Sequence, residues 1–183
     1  MNNNQKKIVL TGAPGTGKST VIHELEKRNY FCMHEISRDV TLEAQKNGTD
    51  QLFLTEPLLF SDMLLKGRTE QYQKATKMAK EMVFFDRGIP DVHGYLNYIS
   101  MEFPDSYIKT SRENRYDFVF LMPPWEDIYV QDNERYENFE QALAIHNHLL
   151  NTYKALNYNV IQVPTGTVDD RTDYILNVIN TLS

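Results

Sequence analysis

Residues 12–19 read Gly-Ala-Pro-Gly-Thr-Gly-Lys-Ser, directly after the apolar run Ile8-Val9-Leu10-Thr11. This is G-x-x-x-x-G-K-[ST] in the strand, loop and helix setting that the motif requires. Glycines let the backbone curl so that successive N–H groups point inward and form an anion-binding nest, and the helix that follows adds its positive end. Gly12, Ala13, Pro14, Gly15, Thr16 and Gly17 are expected to cradle phosphate, with Thr20 in the first helical turn. Lys18 is expected to face solvent and reach the β- and γ-phosphates, and the Ser19 hydroxyl to ligate Mg²⁺. A chance glycine-rich turn is the competing explanation. The strand before the loop and the amphipathic helix after it argue against that.

The net charge of −6 gives no electrostatic reason to expect nucleic acid or an anionic membrane as partner. An anionic nucleotide must then be held by local cations. A chain of 183 residues suits one domain over 1–183, with a loose tail at 1–6. The single cysteine, Cys32, excludes an internal disulfide and is expected to be buried filler. The polar start Met1-Asn2-Asn3-Asn4-Gln5 has no apolar core of a signal peptide, and no stretch approaches the ~20 apolar residues needed to cross a bilayer. A cytoplasmic location is expected. The five histidines show no metal-ligand spacing, so no structural zinc is expected.

Five short apolar runs, at 7–11, 30–34, 82–86, 118–122 and 159–163, have the length and composition of strands covered on both faces. Helical patterns lie between and after them, at 18–28, 38–47, 56–80, 91–102, 105–113, 137–156 and 169–182. The alternation predicts an α/β fold: a five-stranded, mainly parallel sheet with helices on both faces, three layers in all. Thr55 is the expected N-cap of the 56–80 helix, with Pro57 in its first turn. Phe139, Leu143, His146, Leu150 and Tyr153 mark the expected buried face of the 137–156 helix.

Met82-Val83-Phe84-Phe85-Asp86 ends a strand in an acid. In proteins with such a loop, an acid of this kind holds the Mg²⁺; the bland alternative is a helix cap. The next residue is Arg87, where many ATPases carry a second acid to polarise water. An arginine suits a site that clamps an anion or a substrate. Asp91 is expected to be the N-cap of the helix that begins Val92-His93.

These segments, with Glu35-Ile36-Ser37-Arg38, Arg115-Tyr116-Asp117-Phe118, Pro123-Pro124-Trp125 and Glu134-Arg135, run through nearly the whole chain. Together they resemble the small P-loop NTPases called AAA-like ATPases, which are related to the ribosylnicotinamide kinase domain of NadR proteins and to the deoxynucleoside and thymidylate kinases. The resemblance implies a P-loop kinase-like domain with a short lid at about 125–138. It implies that Glu35 faces an acceptor hydroxyl, that Arg38 holds phosphate or the Glu35 carboxylate, and that Gln71 reads a base. Arg135 would be the lid arginine, with Arg112 and Arg115 as substitutes. The ordinary alternatives are a Glu35–Arg38 surface pair, a solvated Arg135 and a Gln71 on a helix surface. Trp125 would be a stacking platform or a plug under the lid. No guanine-reading Asn/Thr-Lys-x-Asp motif is present, which leans toward ATP, its base near Thr165-Gly166-Thr167.

Two functions follow. One is a phosphotransferase in which Lys18, Glu35, Asp86, Arg87 and Arg135 are catalytic, Glu35, Arg38, Gln71 and Arg87 bind a small acceptor, and Ser19 and Asp86 hold Mg²⁺. The other is a nucleotide-dependent switch or slow NTPase that acts on a protein or lipid.

Overall fold

The computed structural model describes residues 5–46, 48–49, 51–128 and 138–182. One sheet contains β1 (Lys6–Thr11), β2 (Phe31–Met33), β3 (Met82–Asp86), β4 (Phe118–Leu121) and β5 (Val160–Gln162), in the spatial order β2-β3-β1-β4-β5. All four pairings are parallel. Parallel neighbours need long crossovers, which helices supply. They are α1 (Lys18–Lys27), α2 (Ser37–Lys46), α3 (Leu52–Thr55), α4 (Pro57–Thr76), α5 (Pro90–Tyr98), α6 (Ser106–Glu113), α7 (Phe139–Ala155) and α8 (Val168–Thr181). The expected three-layer architecture is therefore the one observed.

Phe84 and Phe85 explain the continuous apolar character of the strands. Adjacent strand residues point to opposite faces. Phe84 packs with Ile8, Leu10 and Phe120 against Val21 and Leu25 of α1 and Ile175 of α8. Phe85 packs with Val9 and Val119 against Ala75 of α4 and Tyr153 of α7. Each fully buried side chain of this size stabilises the fold by about 1.5–3 kcal/mol. Cys32 is buried among the first group, and burial raises its thiol pKa to about 12. It is filler, as expected.

Several local expectations need correction. The tail does not extend to residue 6: Lys6 opens β1, and the Gln5 amide donates to the carbonyls of Ala75, Met78 and Lys80 at 2.9–3.1 Å. Glu56, not Thr55, occupies the N-cap position of α4, because the short α3 takes up Thr55; Pro57 is in the first turn as expected. The 56–80 helix stops at Thr76, where Gln5 binds Ala75 O in its last turn and the carbonyls of Met78 and Lys80 beyond it. In α7 the buried residues are Ala142, Ile145, His146, Leu149, Thr152 and Tyr153, whereas Leu143 is 42% exposed. The face is rotated because α7 packs against α5 at Gly94. A Cβ there would come within 3.0 Å of Leu149 Cδ2. Among the described residues, no helix is long and apolar enough to cross a membrane.

Candidate active site

The phosphate loop, Glu35 and Arg87 lie just beyond the carboxyl ends of β1, β2 and β3, the usual ligand crevice of an open parallel sheet. After β1 the loop of residues 12–17 turns into α1. Gly17 adopts φ 76°, a left-handed conformation open to glycine with little strain. It is also closely packed: a Cβ at this position would lie 2.7 Å from Arg171 Nη1. Arg171 reaches over from α8 and donates to Thr16 O at 3.1 Å and Thr167 O at 3.4 Å. A peptide C=O and its N–H point in opposite directions across a planar unit. Fixing Thr16 O on Arg171 therefore turns the Gly17 N–H the other way. Arg171 is 5% exposed, pairs with no carboxylate among the described residues, and has its pKa lowered by burial.

Lys18 departs from expectation. Its ammonium is buried, not solvent-facing, and donates to Gly12 O and Ala13 O, each at 2.9 Å, and to Thr16 Oγ1 at 3.3 Å. The loop's own carbonyls supply these acceptors within six residues of the lysine. Burial first, and the charge of Arg87 second, push its pKa down to about 7. Thr20 Oγ1 donates to Gly17 O at 2.7 Å, and Ser19 is exposed at the first turn of α1. Asp86, at the end of β3, is buried, and its Oδ1 has no hydrogen-bond partner among the described residues. Burial raises its pKa, with Lys18 opposing. A buried, unpaired carboxylate oxygen beside a phosphate loop is a fitting ligand for a divalent cation.

On the other side of the loop lies a cluster that the sequence only half reveals. Glu35 follows β2. Its carboxylate accepts from Arg68 Nη2 at 2.9 and 3.2 Å, and from the N–H groups of Ile36 and Ser37 at 3.0 and 3.2 Å. Arg87 Nε lies 2.6 Å from its other oxygen. Arg68 and Arg87 thus both pair with Glu35. Burial would raise its pKa, but the two guanidinium charges prevail and hold it below the usual carboxylate value. Arg68, on α4, is 4% exposed and also donates to Gly88 O at 3.2 Å. Nothing in its sequence setting separates it from a solvated helix cation except Gly67 beside it. A Cβ at Gly67 would lie 2.4 Å from Ile36 Cδ1, so α4 passes unusually close to the end of β2.

Arg87 itself has φ 74°, a conformation that strains a residue with a side chain by about 1–2 kcal/mol. The surroundings over-determine it. Its N–H donates to Leu10 O at 3.0 Å and its Nη1 to Gly12 O at 3.0 Å. Asp91 is not the expected N-cap. It lies inside α5 as a buried anchor, accepting from Thr11 Oγ1 at 2.5 Å, Tyr153 Oη at 2.5 Å and Gly88 N at 2.9 Å, with Arg87 Nη1 at 3.4 Å. One carboxylate thus joins the start of the phosphate loop, the Asp-Arg segment and α7.

A cavity of about 710 Å³ opens above this cluster. Pro14 of the loop and Glu35, Arg38, Arg68, Arg87 and Asp91 line it, with apolar walls from Leu42, Phe60, Leu64, Val92, Tyr95 and Ile145. Gln71 does not line it; its amide donates to His34 O at 2.8 Å. Arg135 and most of the proposed lid lie outside the described residues. Arg115 is not a lid substitute: it donates to Leu156 O at 2.8 Å and stacks on Tyr158, 4.1 Å from the ring centre. Trp125 borders a small second cavity on the far side of the loop, with Thr16, Thr165 and Arg171.

Residues 7–171 match the AAA_28 family, described as an AAA domain. The chain belongs to that family. No curated protein sequence matches it. Among solved structures, it is similar to NadR in complex with NR at TM-score 0.75 and 19% identity, over 97% of this chain and 51% of that one. Deoxyadenosine kinase from M. mycoides, solved with dCMP and dCDP, superposes at TM-score 0.70 and 18% identity over 96% and 99% of the two chains. Thymidylate kinase from Candida albicans gives 0.70 and 16% over 97% and 92%. The fold is that of a P-loop NTPase of the NadR and nucleoside-kinase type.

Proposed function

We propose that the protein is a Mg²⁺-dependent phosphotransferase that moves the γ-phosphoryl group of ATP to a small nucleoside- or nucleotide-like acceptor. The observation that carries this reading is the cavity that shares Pro14 and Arg87 with the phosphate loop. A molecule seated there meets the terminal phosphate of a nucleotide in the loop. The loop N–H groups, Lys18 and the start of α1 would bind the triphosphate. Lys18 would exchange the carbonyls of Gly12 and Ala13 for phosphate oxygens. Asp86 and Ser19 would hold Mg²⁺, which when bound neutralises charge on the β- and γ-oxygens.

Glu35 accepts the acceptor's O–H and orients its oxygen toward the γ-phosphorus. The new O–P bond forms as the bond to the bridging oxygen breaks, leaving ADP; the hydroxyl proton passes to Glu35 and on to water. Positioning dominates such a transfer, and a weakly basic carboxylate suffices. Arg87, fixed between Glu35 and Gly12 O, meets charge that develops on the transferring group.

Transfer from [γ-³²P]ATP to a panel of nucleosides, nucleotides and sugars tests the proposal. A labelled small molecule is the expected result. ATP hydrolysis with no labelled acceptor would instead fit a switch that acts on a protein or lipid partner.

A further inference from the structure

The geometry points to Asp91 as a positioning residue: it holds Arg87 in place and acts on phosphoryl transfer through that arginine. This rests on the kinase reading above. Among the described residues, four other than glycine have a positive φ: Asn29, Arg87, Ser100 and Asn157. Asn29, Ser100 and Asn157 each come two residues after a helix ends, and their N–H groups donate back into its last turn, at Glu26 O, Asn97 O and Lys154 O. A left-handed residue there is an ordinary helix ending. Arg87 alone of the four follows a strand, so no helix end accounts for it. A side chain kept in that conformation persists where its surroundings over-determine it, and such residues gather at functional sites.

Asp91 holds the turn that follows Arg87. Its Oδ2 accepts the Gly88 N–H at 2.9 Å, and its own N–H donates to Gly88 O at 3.2 Å, so Gly88 is clamped at both backbone groups. Tyr153 Oη donates to the same Oδ2, and a Cβ at Gly88 would lie 2.5 Å from that hydroxyl, which closes the turn to any side chain. With Gly88 fixed, the planar peptide that joins it to Arg87 is fixed too. From that backbone Arg87 Nε reaches Glu35 at 2.6 Å and Nη1 reaches Gly12 O at 3.0 Å. The other oxygen of Asp91 accepts from Thr11 Oγ1, in the residue just before Gly12, and meets Arg87 Nη1 at 3.4 Å. The carboxylate thus ties the base of Arg87 to the start of the phosphate loop. Asp91 borders the cavity, but its side chain is only 2% exposed and both oxygens are occupied. Its route to a reacting group is through Arg87.

The test uses the full chain and Asp91→Asn. Asparagine keeps the size but puts an NH₂ where one oxygen stood. The Thr11 and Tyr153 hydroxyls can turn round to accept from it, whereas the Gly88 N–H and Arg87 can only donate. One of those two contacts is therefore lost whichever way the amide points. Transfer from [γ-³²P]ATP to the best acceptor of the nucleoside, nucleotide and sugar panel is measured in the wild type, Asp91→Asn, Arg87→Met and the double variant. Asp91→Asn is expected to lower kcat about 10²-fold, as a misplaced reacting group does. In the Arg87→Met background the same change is expected to lower kcat by less than about 3-fold, because the two residues act as a unit. An equal factor in both backgrounds overturns the inference, since a fold anchor or a direct contact would act with or without Arg87. A second readout needs no acceptor: hydrogen exchange at the Arg87 Nε–H, assigned in ¹⁵N spectra by its loss in Arg87→Met, with the Arg171 Nε–H as reference. Asp91→Asn is expected to speed exchange at Arg87 by at least about 10-fold and leave Arg171 unchanged. Acceleration of both alike, or of neither, overturns the inference. If no compound of the panel is labelled, the kinase reading falls and the exchange result alone decides whether Asp91 positions Arg87. Should Asp91→Asn not fold, Tyr153→Phe removes one donor from the same carboxylate and is expected to speed Arg87 exchange about 3-fold with Arg171 unmoved; an unchanged rate overturns the inference.

Discussion

The two sides of Pro14 are built in opposite ways. The side proposed for the nucleotide is a continuous stretch of backbone, residues 12–20, whose shape comes from glycine angles and one helix end. The side proposed for the acceptor is made of side chains from three separate places: Glu35 after β2, Arg68 in the middle of α4 and Arg87 after β3. A backbone site depends little on which side chains surround it. A side-chain site depends on each member to keep the others in place. Single substitutions should therefore act narrowly on the first and spread through the second.

The largest effect expected is that of Lys18→Ala. It should cut phosphoryl transfer by about 10³-fold and weaken ATP binding, while the sheet, whose core does not use Lys18, stays folded. Calorimetry with ATP and a thermal melt check this. ATP affinity and turnover equal to wild type would break the assignment of the nucleotide side. Asp86→Asn should remove the Mg²⁺ dependence of ATP binding and cut transfer by about 10²–10³-fold, while metal-free nucleotide affinity is retained. Unchanged Mg²⁺-dependent turnover would leave Asp86 a purely structural acid.

Arg68→Met is the corresponding cut on the acceptor side. It should lower kcat/KM for the acceptor by about 10²-fold and leave ATP affinity within about 2-fold of wild type. It also has a pH signature. The arginine charges hold the folded-state pKa of Glu35 down, so transfer by the wild type should persist below the usual carboxylate range. Removing Arg68 lets that pKa rise, and the acid limb of the kcat/KM profile should move to higher pH. A loss of activity with an unmoved acid limb would mean that Arg68 only supports the fold.

The sequence foretold these two sides unequally, for the same physical reason. The phosphate loop is contiguous, so its residues announce one another at fixed spacing. Glu35 and Arg87 lie within short motifs, but their direct pairing is not legible because it joins the ends of two separate strands, and Arg68, which also binds Glu35, comes from a helix 33 positions further along the chain. In α4, Arg68 reads as one more solvated cation, and only its neighbour Gly67 hints that the helix passes close to something. Asp91 reads as a cap because it follows a proline at a helix start; the hydroxyl donors that bury it come from β1 and α7, far away in the chain. The layers follow from periodicity; the strand order β2-β3-β1-β4-β5 does not, and the α7 face depends on the close approach at Gly94, which periodicity alone does not contain.

Two smaller effects sharpen the comparison. Arg171→Met should weaken ATP binding by about 10-fold, with Arg171→Lys recovering part of it and acceptor KM unchanged. A change in acceptor KM of similar size would show that the loop and the cavity are not separable. Tyr153→Phe removes one donor from Asp91, which serves both sides at once, and should destabilise the fold by about 1 kcal/mol. Its effect on ATP and on acceptor binding should be only a few-fold, and similar for the two.

The contact between Gly17 and Arg171 has a consequence for how such a sequence can change over generations. The guanidinium occupies the space that any side chain at position 17 would need, although Thr16 and Arg171 are 155 positions apart in the chain. The last glycine of the loop and the first turn of α8 thus constrain one another's side chains. A lineage that loses the arginine gains room at position 17 but loses the anchor of Thr16 O, and a lineage that replaces the glycine must first evict the arginine. Recombination that exchanges the C-terminal helix between relatives should yield working loops only where the incoming segment brings a partner that fits that same hollow.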